Sequence, residues 1–167
     1  MNIKMLNQKI TISVIGGHDI SHEVENLAHN VGKIIAEVGG VLVCGGLDGA
    51  MMAASKGCKA AGGTTIGLLP GREKADANEY IDIALPTTIG YARNAMVAAC
   101  GDVIVALPGS HGTSCEISYG FVYKRPIIDL GGWNREGMIQ VKGLGEFKEK
   151  LQELIKQIRQ ERHAGAA

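Results

Sequence analysis

The chain has 167 residues, of which 46% are hydrophobic and 20% are charged, so we expect one folded, soluble domain over residues 1–167 rather than a disordered chain. Lys+Arg and Asp+Glu both number 17, which argues against nucleic-acid and membrane partners, because both attract basic proteins. Glycine is the unusual residue, at 24 of 167, about twice its average share. Its positions decide between low complexity and a fold with many tight turns.

The composition also bears on location and metal binding. No apolar run approaches the roughly 18 residues of a membrane span, and the N-terminal MNIKMLNQKI lacks the features of a signal peptide. The cysteines stand at irregular spacings without a CxxC pair, and the five histidines are scattered along the chain. These patterns predict a cytoplasmic protein whose thiols are buried and reduced, rather than one with disulfides or a metal site. The cysteines are Cys44, Cys58, Cys100 and Cys115.

Short β-branched runs recur along the chain, and most of them end at glycine or proline. Such near-continuous apolar runs are typical of strands that are buried on both faces of a parallel sheet. They cover residues 10–15, 41–44, 64–69, 80–85, 103–107 and 126–130, with a weaker seventh run at 138–141.

Segments with helical periodicity separate these strands. The clearest is the apolar stripe Val24–Val38, with Ser21 as its expected N-cap. Strictly alternating strands and helices predict an α/β fold, namely a three-layer, Rossmann-like, doubly wound parallel sheet of about seven strands in the order 3-2-1-4-5-6-7. The polar segment Gly71–Glu79 is expected to be a lid, a subunit contact or a mobile surface loop. The other predicted helices cover residues 50–61, 91–100, 113–124 and 146–162.

Glycine is concentrated in the turns that follow the strands, where ligands bind in open α/β sheets. An edge with so few side chains suits the approach of a bulky anion to backbone N–H groups and helix N-termini, although tight turns without a ligand are the alternative. The Gly45–Gly57 stretch matches neither GxGxxG nor a P-loop. The glycines in these turns are Gly16, Gly17, Gly45, Gly46, Gly49, Gly71, Gly90, Gly109, Gly112, Gly131 and Gly132.

The strongest local signal is the stretch LPGSHGTSCE after the fifth strand, in which Thr113 is the expected N-cap of the next helix. Glu116 follows Thr113 at the capping-box spacing, so it is either a structural cap or a carboxylate that serves a ligand as acid, base or hydroxyl acceptor. The residues of this stretch that we expect to bind phosphate are Pro108, Gly109, Ser110, His111, Gly112 and Thr113.

Arg93 is the second candidate, because it lies in the first turn of an otherwise apolar helix. A cation there opposes the helix dipole, and phosphate is a natural partner for a guanidinium. The alternatives are an exposed arginine and a salt bridge to Glu116. The neighbouring Asn94 would suit a hydroxyl group or the edge of a base.

Three motifs, VCGGLDGAMMAASKGCKAAG, YARNAMV and LPGSHGTSCEIS, occur in the order typical of the Lonely Guy (LOG) superfamily. Residues 10–142 resemble these proteins, which are also called SLOG and were often labelled "possible lysine decarboxylase". The resemblance implies a Rossmann-like homo-oligomer, dimer or tetramer, that binds a small phosphorylated ligand. The characterised enzymes are cytokinin-riboside 5′-monophosphate phosphoribohydrolases with the motif PGGxGTxxE and a preceding Arg-Lys pair. The resemblance implies that Arg93 and Glu116 are the catalytic pair.

The sequence departs from the enzymes at Asn94, where they have lysine, and at Ser110, where they have glycine. The Arg-Asn version resembles a sister branch that includes the molybdenum-cofactor carrier, which binds a pterin phosphate without chemistry. Two hypotheses therefore stand: a binding or carrier protein for a nucleotide or molybdopterin, with no required cofactor, and an N-ribohydrolase that uses Arg93 and Glu116. A pyridoxal-phosphate lysine decarboxylase is not expected, because no lysine follows a strand of the proposed site.

Overall fold

The computed structural model describes residues 9–164, which contain one seven-stranded sheet whose neighbouring strands are all parallel. The predicted α/β, Rossmann-like fold class is confirmed. The strands are β1 (Thr11–Ile15), β2 (Val41–Cys44), β3 (Thr64–Leu69), β4 (Ile83–Pro86), β5 (Val103–Ala106), β6 (Ile127–Asp129) and β7 (Ile139–Gln140). The helices are α1 (His22–Glu37), α2 (Ala50–Ala60), α3 (Asn94–Cys100), α4 (His111–Val122) and α5 (Leu144–Ala164), with short 3₁₀ turns at Lys74–Asp76 and Gly90–Arg93.

Helices cover both faces of the sheet, because alternate side chains of each buried strand point to opposite sides. Ile12 and Val14 of β1 belong to the apolar core beneath α1, α2 and α5, whereas Ile15 belongs to the core beneath α3 and α4. On the second face Ser13 donates a hydrogen bond of 2.6 Å to the carbonyl of Val97 in α3. The site described below lies at the end of β1 where these two layers meet.

The observed strand order is β4-β3-β2-β1-β5-β6-β7, so the predicted place of the fourth strand, between the first and the fifth, is wrong. The fully buried β5 pairs with β1 instead, and β4 forms the edge beside β3. An edge suits β4, because Pro86 cannot donate to a further strand and Ile83 and Leu85 are each 45% exposed. The polar Asp82 before β4 accepts a hydrogen bond from the backbone N–H of Thr65.

Helix α1 begins as predicted, since the Ser21 hydroxyl accepts a hydrogen bond from the backbone N–H of Val24. Helix α4 begins two residues earlier than predicted, at His111, with Ser110 as its N-cap. Thr113 is therefore inside the helix rather than its N-cap, and that prediction is wrong. Because a capping box needs its carboxylate three residues after the N-cap, Glu116 does not form one.

Two of the four thiols differ from expectation. Cys44 and Cys58 are buried and free, but Cys100 and Cys115 are exposed, so the prediction of four buried thiols is wrong for these two.

The loop that contains Gly71–Glu79 is held near its end by hydrogen bonds, which the Asn78 amide donates to the carbonyls of Gly46 and Leu47. None of the helices in residues 9–164 combines the length and the apolar character that crossing a membrane requires.

Candidate functional site

A cavity of about 590 Å³ opens where β1, β2 and β5 end. It is bounded by the turns that follow these strands, by the 3₁₀ turn before α3 and by the start of α4. Ten of the residues that we predicted for a site line it: Gly16, Gly17, Gly45, Arg93, Asn94, Ser110, His111, Gly112, Thr113 and Glu116. Residues from four separate segments of the chain are thus brought together at one place.

Four of the predicted ligand-binding residues, Gly46, Gly49, Pro108 and Gly109, do not line the cavity. They shape the turns around it instead. Gly49 has φ +67° and a Cβ there would overlap the carbonyl oxygen of His18, so only glycine fits. The Pro108 carbonyl accepts a hydrogen bond of 2.9 Å from the backbone N–H of Gly17, which joins the turns after β1 and β5.

Sequence reasoning missed the apolar part of the lining, because it looked for glycine and charge. Leu47, Met51 and Tyr91 lie along the cavity, and the Tyr91 side chain is 79% exposed. His18 directly follows the Gly16-Gly17 turn, so the rule that ligands bind after parallel strands could have found it. The other lining residues outside our prediction are Val14, Ile15 and Cys115.

The start of α4 faces the cavity with backbone N–H groups that no side chain caps. Ser110 makes no capping hydrogen bond, and residues 110–113 line the cavity. The first turn of a helix presents free N–H donors and the positive end of the helix dipole. This arrangement favours an anion at the first turn of α4.

Arg93 is buried, at 4% exposure, although it carries a charge. Its Nη1 donates to the Asn94 side-chain oxygen, and its Nη2 donates to the Gly45 carbonyl at 3.2 Å. Neither alternative from the sequence holds, because Arg93 is not exposed and forms no salt bridge with Glu116 in the described chain. Burial lowers the pKa of Arg93, whereas the charge of Glu116 raises it.

Glu116 is the second buried ionisable group, at 6% exposure. Within residues 9–164 its carboxyl group has no hydrogen-bond partner, although it lines the cavity. Burial raises its pKa to about 8, against the opposing effect of Arg93. The carboxyl group is therefore mostly protonated at pH 7, so it can donate a proton as well as accept a hydrogen bond. Perturbed groups of this kind cluster at functional sites.

A rigid loop next to the cavity supports α4 from the side of β6. The Asp129 carboxylate accepts hydrogen bonds from the backbone N–H groups of Gly131, Trp133 and Asn134 at 2.8–3.2 Å. The Trp133 indole donates to the Leu107 carbonyl at 3.0 Å, and Arg135 donates to the Ser114 hydroxyl at 2.5 Å. The loop thereby fixes both the segment that enters the Gly109–Thr113 turn and the helix that leaves it.

Solved structures of high similarity share this fold over nearly their whole length. The molybdenum cofactor binding protein of Rippkaea orientalis matches with a TM-score of 0.81 and 30% identity, covering 91% of this chain and 98% of that one. The molybdenum cofactor carrier protein of Chlamydomonas reinhardtii matches with a TM-score of 0.81 and 30% identity, covering 89% and 99%. DNA processing protein A of Helicobacter pylori, at 17% identity and a TM-score of 0.68, shares the fold alone.

Sequence comparison identifies the family. An uncharacterised protein of Archaeoglobus fulgidus is 40% identical over 119 residues, 71% of this chain and 78% of that protein. The cytokinin riboside 5′-monophosphate phosphoribohydrolase of Mycobacterium tuberculosis is 31% identical over 135 residues, 74% of this chain and 71% of that enzyme. The model of the SLOG cluster4 family matches residues 9–163. The resemblance inferred from the motifs is confirmed, and the chain belongs to the SLOG cluster4 family.

Proposed function

We propose that this protein binds a small phosphorylated molecule, a nucleotide or a molybdopterin, in the cavity at the carboxyl ends of β1, β2 and β5. One observation carries the proposal: the uncapped start of α4 and the buried Arg93, Asn94 and Glu116 line the same cavity. A cationic side chain and free helix N–H groups attract an anion, whereas a buried carboxylate would repel it. Protonation of Glu116 below about pH 8 removes that repulsion.

The lining of the cavity combines polar and apolar residues, which suits a phosphate joined to a flat ring. We place the phosphate at residues 110–113, where glycine allows close approach to the backbone. We place the ring beside Leu47, Met51 and Tyr91, because an exposed tyrosine offers a face for stacking. A volume of about 590 Å³ lies within the range of small-molecule sites.

Carriage without chemistry is the function we favour. The proteins named for molybdenum cofactor binding and carriage match this chain over almost their whole length. Molybdopterin would then be cargo rather than a resident cofactor, with its phosphate at the start of α4. Asn94 also favours binding over cleavage, since it stands where the phosphoribohydrolase pattern has lysine.

The alternative function is hydrolysis of the N-glycosidic bond of a nucleoside 5′-monophosphate. The 31% identity with the Mycobacterium tuberculosis enzyme supports it, as does a Glu116 that is protonated at neutral pH. Glu116 would donate its proton to the departing base as the bond to the ribose breaks, and the water molecule that adds to the sugar would return a proton to the Glu116 carboxylate. Arg93 would balance the charge that develops nearby.

One experiment separates the two functions. Calorimetry measures binding of AMP, GMP, CMP, UMP and molybdopterin, and chromatography of the same mixtures measures the free base. We expect binding without release of base. Release that Glu116→Ala abolishes and the exposed control Glu136→Ala preserves would support the hydrolase instead. Absence of binding to every compound in the panel would contradict both functions.

We also propose that the protein forms a homo-oligomer. Within residues 9–164 the helices that cover one side of the sheet are the short α3 and α4. Ile83 and Leu85 on edge strand β4 lie on that side, in register with Ile66 and Leu68. Large exposed apolar residues of this kind mark interaction surfaces. The exposed apolar residues on the same side also include Met96, Tyr119, Val122 and Tyr123, which belong to α3, α4 and the following turn. A monomeric mass in solution at micromolar concentration would contradict this proposal.

A further inference from the structure

Arg93 is poorly placed to grip a phosphate by itself. Both of its terminal nitrogens already donate to protein acceptors, the Asn94 side-chain oxygen and the Gly45 carbonyl. Its Nε is closed off from solvent and has no partner in the described chain, so it cannot join Nη2 in a two-point grip on an oxyanion. The guanidinium is thus fixed within the wall of the cavity.

The hydrogen bond from Arg93 fixes the orientation of the Asn94 amide. A guanidinium only donates, so the Asn94 oxygen must face it and the NH₂ group must face away. Asn94 is 6% exposed and lines the cavity. Its Nδ2 has no hydrogen-bond partner among residues 9–164 and lies 3.6 Å from the position of a Cβ built on Gly112.

An NH₂ group without a partner in the described chain therefore faces the cavity beside the first turn of α4. A ligand oxygen in the cavity can accept a hydrogen bond from this donor, whereas a ligand without an acceptor there would desolvate the donor and leave it unpaired, which is costly. The donor and the helix N–H groups lie on one side of the cavity, and a single oxyanion can contact both.

We infer that Asn94 donates a hydrogen bond from Nδ2 to a phosphate oxygen of the ligand and that Arg93 is a positioning residue that orients this amide. The inference rests on the proposed function. It makes Asn94 a specificity-determining residue, because the amide selects a group that accepts a hydrogen bond. Arg93 contributes through Asn94 rather than by direct contact.

A double-mutant cycle with AMP as the probe tests this division of roles. Asn94→Leu removes the donor, and we expect a roughly 10- to 100-fold loss of affinity, typical of a lost hydrogen bond to a charged group. Arg93→Lys keeps the charge but loses the orienting bond, so it should weaken binding by a similar factor. The double variant should bind no more weakly than either single variant, because both changes remove one interaction.

Replacement of the Asn94 amide by a carboxylate provides a second test. Asn94→Asp keeps an oxygen on Arg93 but puts a carboxylate oxygen where the donor was, so AMP binding should fall by more than in Asn94→Leu. Asn30→Asp is the matched control, because Asn30 is exposed on α1 and does not line the cavity. It should leave the affinity for AMP unchanged.

Gly112→Ala keeps Asn94 intact and puts a methyl group beside its NH₂, so it extends the test if Asn94→Leu fails to fold. We expect a several-fold loss of AMP affinity in this variant. Wild-type affinity in Asn94→Leu and in Gly112→Ala would overturn the inference, as would fully additive losses in the cycle, which would mean that Arg93 contacts the phosphate itself. If the wild-type protein binds neither AMP nor molybdopterin, the proposed function fails first, and the inference with it.

Discussion

Two buried carboxylates near the cavity, Asp129 and Glu116, differ in what surrounds them. Asp129 is 2% exposed and accepts hydrogen bonds from three backbone N–H groups of the loop that follows β6. Glu116 is 6% exposed, lines the cavity and has no such partner within the described chain. Because buried carboxylates are normally paired or hydrogen-bonded, the first is explained by the fold, and the second requires another explanation. We attribute it to a ligand.

The largest expected effect concerns Glu116. Its pKa is raised from 4.5 to about 8 in the folded protein, so its contribution to stability is complete below pH 4.5 and is lost as the pH rises towards 8. The unfavourable ionisation corresponds to on the order of 4–5 kcal/mol. We expect the free energy of unfolding of Glu116→Gln to exceed that of the wild type, as measured by urea denaturation. The difference should grow from pH 5 to pH 9, up to this amount. A difference that is constant with pH would contradict the raised pKa, because it would mean that Glu116 is already ionised at pH 5.

The opposite effect is expected at Asp129. Asp129→Ala leaves three backbone N–H groups without their acceptor, which should lower the free energy of unfolding by about 3 kcal/mol at pH 7. Urea denaturation measures this loss, and Glu116→Gln is the matched comparison at the same pH. A loss below about 0.5 kcal/mol would mean that water replaces the carboxylate and that the contrast between the two groups is weaker than we describe.

Ligand binding should report the titration of Glu116. The AMP phosphate is mostly a dianion above pH 7, since its second pKa is about 6, so the protein governs any change at higher pH. We expect the affinity for AMP to fall roughly tenfold from pH 7 to pH 9, because ionised Glu116 repels the phosphate. Glu116→Gln should remove this dependence. An affinity that rises over the same range would contradict the account.

The smallest effect concerns two exposed thiols. Cys115 lines the cavity, whereas Cys100 lies at the end of α3 and does not. We expect saturating AMP to slow alkylation of Cys115 by iodoacetamide several-fold and to leave Cys100 unchanged, as measured by mass spectrometry of the peptides. Equal protection of both would indicate a general tightening of the protein rather than occupation of the cavity.

The sequence was sufficient for the fold class because the buried strands are apolar and the turns after them are rich in glycine. It failed for β4, which reads as an apolar strand but follows Asp82 and ends at Pro86. An edge of the sheet accepts such residues, and the centre does not. The position of a strand in the sheet depends on which partner it meets, and local patterns do not contain that information.

In the candidate site, too, local patterns predict some features and others depend on packing. Arg93 and Glu116 could be selected from the sequence, because a cation at a helix start and a carboxylate after a glycine loop are unusual. Their spacing also allowed a capping box or a salt bridge, and only the packing excludes both. The Asn94 orientation depends on the bond from Arg93, so no sequence pattern could have predicted it.

The most direct test of the central claim is an NMR titration of the Glu116 side chain, with and without AMP, assigned by its loss in Glu116→Gln. We predict a pKa of about 8 in the free protein and a higher value with AMP bound, because a nearby phosphate dianion disfavours ionisation. A pKa near 4.5 that AMP does not change would contradict the claim that Glu116 is an unpaired carboxyl group at a phosphate-binding cavity.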